Sequence, residues 1–216
     1  MNDINQNNYL AVPESGKGAC VLVLHAWWGL NEFFKDFCQH LAREGFVVLA
    51  PDLYYGKTAL TIDEAKHLRS KLNQKQVCAD ILSAVEQLRS LPAVTSRMLG
   101  VIGFSLGGYW ALWLSLEKPD AIGAVTVFYG TRNADYSLSQ AAYLGHFAET
   151  DEWVAASGVK KLEKSLRAAH RPVTFYTYPG TGHWFFEEDR QDAYHAEAAD
   201  LAWKRTLEFL QSQLGK

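Results

Sequence analysis

Ser105, Asp151 and His183 are the residues whose types and order could do chemistry together. A serine hydroxyl is a weak nucleophile near neutral pH. It needs a base within hydrogen-bond reach, and the base needs a group that fixes its tautomer. Ser105 lies in Gly103-Phe104-Ser105-Leu106-Gly107, a Gly-x-Ser-x-Gly pattern that, at a tight strand-to-helix bend, pushes the hydroxyl clear of the sheet. The bend strains the serine backbone, so its neighbours must lack bulk. Glycine at 103 and 107 has no Cβ to clash. The following helix presents unpaired N–H groups and the positive end of its dipole, which suits a reaction that forms an oxyanion. A bare match arises by chance in about one chain in ten or twenty of this length, given ordinary glycine usage. Here the apolar run Met98 to Phe104 precedes the turn and a helical run through Leu114 follows it, the context the pattern demands.

The base is chosen among seven histidines. His40, His67, His170 and His195 fall on helices or their ends and read as solvated. His146 lies inside a strand, where a hydrogen-bonded core histidine is the simpler reading. His25 follows a strand but precedes the serine, which suits the oxyanion loop better than the base. His183 follows the last strand in a loop of small residues, Pro179-Gly180-Thr181-Gly182, that can carry it to Ser105. For the carboxylate, Asp151 sits just beyond the strand ending near Phe147. Glu149 reads as a surface structural residue, Asp52 as a cap or turn residue in its own loop, and Asp189 with Glu187-Glu188 as solvated. The chain order is therefore serine, aspartate, histidine, as when this triad is built on an α/β-hydrolase sheet.

The elements that must position these groups alternate between strand and helix. Tyr9 to Val12 reads as a short edge strand, and Ala19 to Leu24 as a continuous apolar strand covered on both faces. Asn31 opens a helix with Phe33, Phe34, Phe37, Leu41 and Ala42 on its buried face, and Gly45 closes it in a left-handed cap. Phe46–Ala50 is the next strand. Thr61 or Asp63 opens a helical region that runs to Leu91 with a break near Asn73. Beyond the serine helix come strands over Ile122–Tyr129 and, more weakly, Ala141–Phe147, then a helix over Val154–Ala169 and a strand over Pro172–Tyr178. A terminal helix is expected to place Leu201, Leu207, Leu210 and Leu214 on one face. Alternation of this kind predicts an α/β fold: a mostly parallel central sheet with helices on both faces. Active groups then gather beyond the carboxyl ends of the strands. With no repeat, linker or insertion long enough for a lid, residues 1–216 are expected to form one domain.

Composition narrows the function classes. A chain of 216 residues with 48% hydrophobic content can build a sizeable core. A net charge of −3 gives no electrostatic case for nucleic acid or an anionic membrane as partner. Cys20, Cys38 and Cys78 are too few and too scattered for a disulfide framework or zinc site; Cys20 and Cys78, in apolar stretches, read as buried thiols. The polar segment Met1–Asn8 lacks a secretory pattern, and no apolar run reaches membrane-span length. The expectation is a cytoplasmic monomer acting on a small molecule, without metal or organic cofactor.

The chain resembles the dienelactone hydrolase family of α/β-hydrolases. The likeness runs from about Val21 to Leu210 through His25-Ala26-Trp27-Trp28-Gly29-Leu30-Asn31, Ala50-Pro51-Asp52-Leu53-Tyr54, Gly103-Phe104-Ser105-Leu106-Gly107-Gly108, Gly145-His146-Phe147-Ala148-Glu149-Thr150-Asp151, Gly182-His183, and the closing Ala202-Trp203-Lys204-Arg205-Thr206-Leu207-Glu208-Phe209-Leu210. The resemblance implies nucleophile, acid and base at Ser105, Asp151 and His183, and an oxyanion hole formed by the backbone N–H groups of Leu106 and Trp27. Three positions depart from the founding pattern. Serine replaces a cysteine nucleophile; Ala26 stands where a glutamate activates that thiol; and Glu187 stands where an arginine holds a substrate carboxylate. Losing the first two together is chemically consistent, because a histidine-activated serine has no use for that glutamate.

The expected reaction is hydrolysis of small carboxylic esters or lactones through an acyl-enzyme. Trp28, Tyr54, Tyr129 and Trp184 stand in loops expected to ring the site, where aromatic walls favour apolar or aromatic groups. Thioester or amide hydrolysis on the same fold is an alternative, since the triad chemistry is shared. A non-catalytic ligand-binding relative is a second, against which the intact triad argues.

Overall fold

The computed structural model describes residues 7–215; residues 1–6, most of the segment expected to carry no secretory pattern, lie outside them. By its internal contacts the chain divides into two compact units, Met1–Arg97 and Met98–Lys216.

The first unit contains β1 (Tyr9–Ala11), β2 (Ala19–Leu24), α1 (Glu32–Arg43), β3 (Phe46–Ala50), α2 (Ile62–Ser70) and α3 (Gln74–Ser90). Its strands lie in the order β1-β3-β2, with β2 parallel and β1 antiparallel to β3. The unbroken apolar runs of β2 and β3 are buried almost throughout, as strands covered on both faces must be. Asn31 caps α1 through its side chain, accepting from the Phe34 N–H, and Phe34, Phe37, Cys38, Leu41 and Ala42 form the buried face. Phe33, expected on that face, is only half-buried. Gly45 ends the helix at φ +93°, the left-handed conformation that residues with a Cβ avoid. The long helical region is two helices. Thr61 and Glu64 make a reciprocal capping box on α2, and the Asn73 side chain accepts from Lys75 and Gln76 N–H to start α3. The break falls at Asn73 because its short polar side chain satisfies the orphan N–H groups of a new helix.

The second unit contains β4 (Leu99–Phe104), α4 (Leu106–Glu117), β5 (Ile122–Phe128), β6 (Ala142–Ala148), α5 (Ala156–Ala168), β7 (Val173–Tyr178) and α6 (Ala196–Leu214). Its strands run β4-β5-β6-β7, every neighbouring pair parallel. Helix α4 packs on β4 and β5, α6 on β4, β5 and β6, and α5 on β7. Strand β6, the weak one by composition, is buried at all seven positions. Helix α5 starts two residues later than expected, because Asp151 binds the N–H groups of Trp153 and Val154 in a turn of its own.

The terminal helix corrects one expectation. Leu210 and Leu214 are buried, but Leu201 is 42% exposed and Leu207 only half-buried. The inner face is instead Ala198, Ala199, Ala202, Thr206, Leu210 and Leu214. Small residues let α6 approach the sheet closely, and the Thr206 hydroxyl is satisfied there by donating to Ala202 O at 2.8 Å and meeting His146 Nε2 at 3.0 Å. Cys20 and Cys38 are buried, while Cys78, expected to be buried, is half-exposed. Among the described residues no helix is long and apolar enough to cross a membrane.

Candidate active site

Strand β4 ends at Phe104 and α4 begins at Leu106, so the whole reversal falls on Ser105. Its backbone sits at φ +50°, ψ −106°, conformationally costly for a residue with a Cβ. The bend is held from both sides: Ser105 N–H donates to Phe128 O at 2.9 Å, and Ser105 O accepts from Tyr109 N at 3.2 Å. This crowding explains the glycine requirement. A Cβ on Gly103 would lie 2.3 Å from Gly107 O and 2.7 Å from Gly108 N; one on Gly130 would lie 2.9 Å from Ser105 O. Leu106 is the first residue of α4, and a first-turn N–H has no intrahelical acceptor.

Asp151 and His183 are brought together by the loops after β6 and β7. Glu149 N–H donates to Tyr178 O at 3.2 Å and Thr150 N–H to Thr181 O at 3.1 Å, while the exposed Glu149 carboxylate accepts from Gly180 N–H at 2.9 Å. These bonds give Glu149 the surface structural role expected of it. Asp151 Oδ1 accepts from Trp153 and Val154 N–H, both at 2.8 Å, which leaves Oδ2 to meet His183 Nδ1 at 2.7 Å. His183 Nε2 lies 2.9 Å from Ser105 Oγ. The His183 and Asp151 side chains are only 3% and 8% exposed. A carboxylate removed from water in this way needs its hydrogen bonds, and Asp151 has three. A buried carboxylate bonded at Nδ1 favours the imidazole tautomer that leaves Nε2 as acceptor for a hydroxyl.

Aromatic rings enclose the imidazole. Trp184, at φ +66°, meets it edge-on at 4.9 Å between centroids, and the exposed Trp153 packs on Trp184 at 5.6 Å. Tyr129 lies against it at 4.7 Å. Tyr129 has no exposed surface, and its hydroxyl donates to Glu187 Oε1 at 2.6 Å. Glu187 thereby corrects the expectation of a solvated side chain: it is fully buried. Desolvation pushes its carboxyl up to about 8, the Tyr129 hydrogen bond opposing the shift, Asp189 adding to it and Arg190 opposing it. The aromatic run Trp184-Phe185-Phe186, all buried, is the one local sign that the following residue would go inside.

The remaining candidates divide cleanly. His146 is the core histidine expected: fully buried, with Nδ1 2.7 Å from Tyr178 OH and Nε2 3.0 Å from Thr206 Oγ1. His40, His67 and His170 are exposed. His195 instead caps α6, its ring Nδ1 accepting from Ala198 N–H at 3.3 Å. In the first unit, Trp27 and Trp28 are buried in the turn after β2, where Gly29 takes φ +88° and Trp28 O accepts from Ala59 N–H at 2.9 Å. Tyr54 is also buried, and burial raises its phenol pKa. His25 Nδ1 meets Ala26 O at 2.6 Å, and its Nε2 accepts from Leu53 N–H at 3.2 Å. Asp52 closes its own turn as expected, accepting from Tyr54 N–H at 2.9 Å and from Gly56 N–H.

The model of the dienelactone hydrolase family matches residues 7–214. Protein usf of Aquifex pyrophilus is 32% identical over 99% of this chain and 96% of its own length. A protein of Aquifex aeolicus, provisionally named a carboxymethylenebutenolidase, is 30% identical over 99% and 96%. A crystal structure from Klebsiella pneumoniae, provisionally identified as a dienelactone hydrolase, superposes with a TM-score of 0.83 at 26% identity, covering 94% of this chain and 91% of that one. The fold is that of the α/β-hydrolases.

Proposed function

This chain belongs to the dienelactone hydrolase family, and on that premise we propose that it hydrolyses small carboxylic esters or lactones through an acyl-enzyme on Ser105. The observation that carries the proposal is the hydrogen-bond line from Ser105 Oγ through both nitrogens of His183 to Asp151 Oδ2. Along that line a proton can leave the serine as its oxygen attacks.

Ser105 Oγ forms a bond to the substrate carbonyl carbon while its proton passes to His183 Nε2. Asp151 holds the ring and stabilises the imidazolium. The carbonyl oxygen, now an oxyanion, is met by the Leu106 N–H at the start of α4, with the Trp27 N–H carried as second donor on the family pattern alone; one such donor contributes about 3 kcal/mol of barrier lowering. Collapse breaks the ester C–O bond, and the imidazolium gives its proton to the leaving alkoxide. Water then repeats the sequence on the acyl-serine. These side chains carry every proton, so the scheme calls on no metal or organic cofactor.

Trp184, edge-on to His183, suits an apolar or aromatic group on the substrate. Three scattered cysteines, too few for a disulfide framework, favour a reducing, cytoplasmic location, and a monomer is the simplest assembly for this chemistry. A fluorophosphonate probe tests the core of the proposal. Labelling should map to Ser105 and vanish in Ser105→Ala; ester turnover that survives Ser105→Ala would overturn it. A panel of aryl esters, lactones and acyl thioesters then separates the substrate classes, with thioesters the competing outcome.

A further inference from the structure

Glu187 and Tyr129 form a buried polar pair for which the proposed reaction has no task. Both side chains are wholly buried, and they come from positions 58 residues apart. Glu187 Oε2 has no hydrogen-bond partner among the described residues, so the phenol is the carboxyl's one anchor. The segment that carries Glu187 also carries His183. Phe185 N–H donates to Gly182 O at 3.3 Å and Glu187 N–H to Trp184 O at 2.9 Å, which winds residues 182–187 into two consecutive turns. His183 and Glu187 therefore leave one short coil and meet the same ring. Tyr129 is itself fixed: its N–H donates to His146 O at 2.7 Å, and its backbone is held at φ +38°.

We propose that Tyr129 and Glu187 are positioning residues for His183, the carboxyl–phenol hydrogen bond setting the tyrosine ring and the ring setting the imidazole plane between Ser105 and Asp151. The proposal deepens the triad reading and rests on it. An apolar pair of the same volume would fill the space, but packing alone leaves a ring freer to rotate than a directional bond does. Burying a carboxyl is costly without a reason, and holding the base is such a reason.

The charge state fits this role. With its carboxyl pushed up to about 8 by burial, Glu187 is neutral near pH 7, and the imidazole faces one carboxylate, Asp151, rather than two. The other charged groups acting on the pair are Asp151 and Asp189, which with Glu187 raise the Tyr129 pKa beyond the effect of burial, and Arg190, which opposes the shift of Glu187. Above about pH 8 the ionising Glu187 would place a second negative charge against the Tyr129 ring.

The test compares Glu187→Leu, Glu187→Gln and Tyr129→Phe with the parent. Steady-state ester hydrolysis is measured from pH 6 to 9.5, and the His183 imidazole signals are followed by NMR over the same range. Glu187→Leu and Tyr129→Phe should lower kcat by about tenfold or more with KM within about twofold, because a misaligned base loses rate rather than affinity. Both should also move the His183 signals. Glu187→Gln still accepts from the phenol, so it should recover most of what Glu187→Leu loses, and the change in His183 signals above pH 8 should disappear with it. Unmoved signals in Tyr129→Phe, a Gln variant as impaired as the Leu variant, or a rise in KM with kcat intact would each overturn the proposal. Tyr129→Phe, a near-isosteric change, keeps the test valid if Glu187→Leu does not fold. The NMR readout needs no turnover. A parent that hydrolyses nothing and takes no fluorophosphonate would therefore sink the triad reading separately.

Discussion

Each unit of the protein buries a histidine near an aspartate, and the two arrangements differ in what their hydrogen bonds can do. In the first, His25 Nδ1 bonds Ala26 O and Nε2 accepts from Leu53 N–H, while Asp52 accepts from the backbone N–H groups of Tyr54 and Gly56. Both hydrogen-bond partners of the His25 ring are peptide groups, which neither give nor take a proton near neutral pH. Burial lowers the His25 pKa, with the nearby Asp52 opposing the shift, so the ring stays neutral and ties two loops together. In the second, His183 bonds a carboxylate on one side and a hydroxyl on the other. These are groups between which a proton can move. Burial and a nearby carboxylate are thus common to both; the identity of the partner atoms separates a structural histidine from a candidate base.

The sharpest way to break this contrast is to delete each ring in turn. His183→Ala should reduce kcat for an ester substrate by about 10^4-fold or more, as loss of a triad base does, together with a stability loss of about 1–3 kcal/mol because Asp151 Oδ2 loses its buried partner. His25→Ala should lower stability with far less effect on rate. It strands the Leu53 N–H and costs about 1–3 kcal/mol of stability, read by denaturant unfolding, while kcat in the folded protein falls far less than in His183→Ala. Equal losses of kcat in the two variants would erase the distinction.

The aspartates sharpen it at a smaller scale. Asp151→Asn keeps an oxygen for Trp153 and Val154 but turns the other position into a donor, which forces the wrong imidazole tautomer. A loss of up to about 10^4 in kcat is expected, eased at high pH. Asp52→Asn removes one acceptor from a turn and should cost about 1 kcal/mol of stability, with little change in kcat. Activity assays paired with urea melts on both variants decide the matter.

Legibility in the sequence followed the same line. The strand, bend and helix around Ser105 could be read because the signal is local: an apolar run, glycine where a Cβ would collide with Gly107 O, and an apolar helix. His183 and Asp151 could be read from chain order and from the turn residues before the histidine. Asn73, Thr61 and Asn31 announced helix starts through the same local chemistry. Glu187 could not be read in this way. Beside Glu188 and Asp189 it has the look of a solvated run, and only Tyr129, arriving from the end of β5, makes its burial tolerable. Leu201 and Leu207 misled for a related reason: periodicity marked an apolar stripe, but His146 on β6 supplied the partner that draws Thr206 inward in their place.

The smallest effects are the pH dependences of stability, and here two buried groups of the second unit pull in opposite directions. His146 is held neutral, its pKa pushed down to about 3 by burial, with Arg205 adding to the shift. Between about pH 6.5 and 3 the unfolded chain gains a proton that the folded one refuses, so stability falls as pH drops through that window. Glu187 is a carboxyl raised from its ordinary range to about 8. Between about pH 4.5 and 8 the folded state keeps a proton that the unfolded chain has released, so stability falls as pH rises. From these two groups alone, stability should be greatest and nearly flat between about pH 4.5 and 6.5, where the slopes oppose. It should decline on either side by an amount on the order of a few kcal/mol. Urea melts from pH 4 to 9 read the curve. Glu187→Gln should flatten its alkaline side and extend the acid decline up to about pH 6.5, where the His146 slope is no longer opposed. An alkaline decline that survives this substitution would mean that Glu187 is already ionised in the folded protein near pH 7, and that the second unit, like His25 and Asp52 in the first, holds its buried carboxyl by hydrogen bonds rather than by withholding charge.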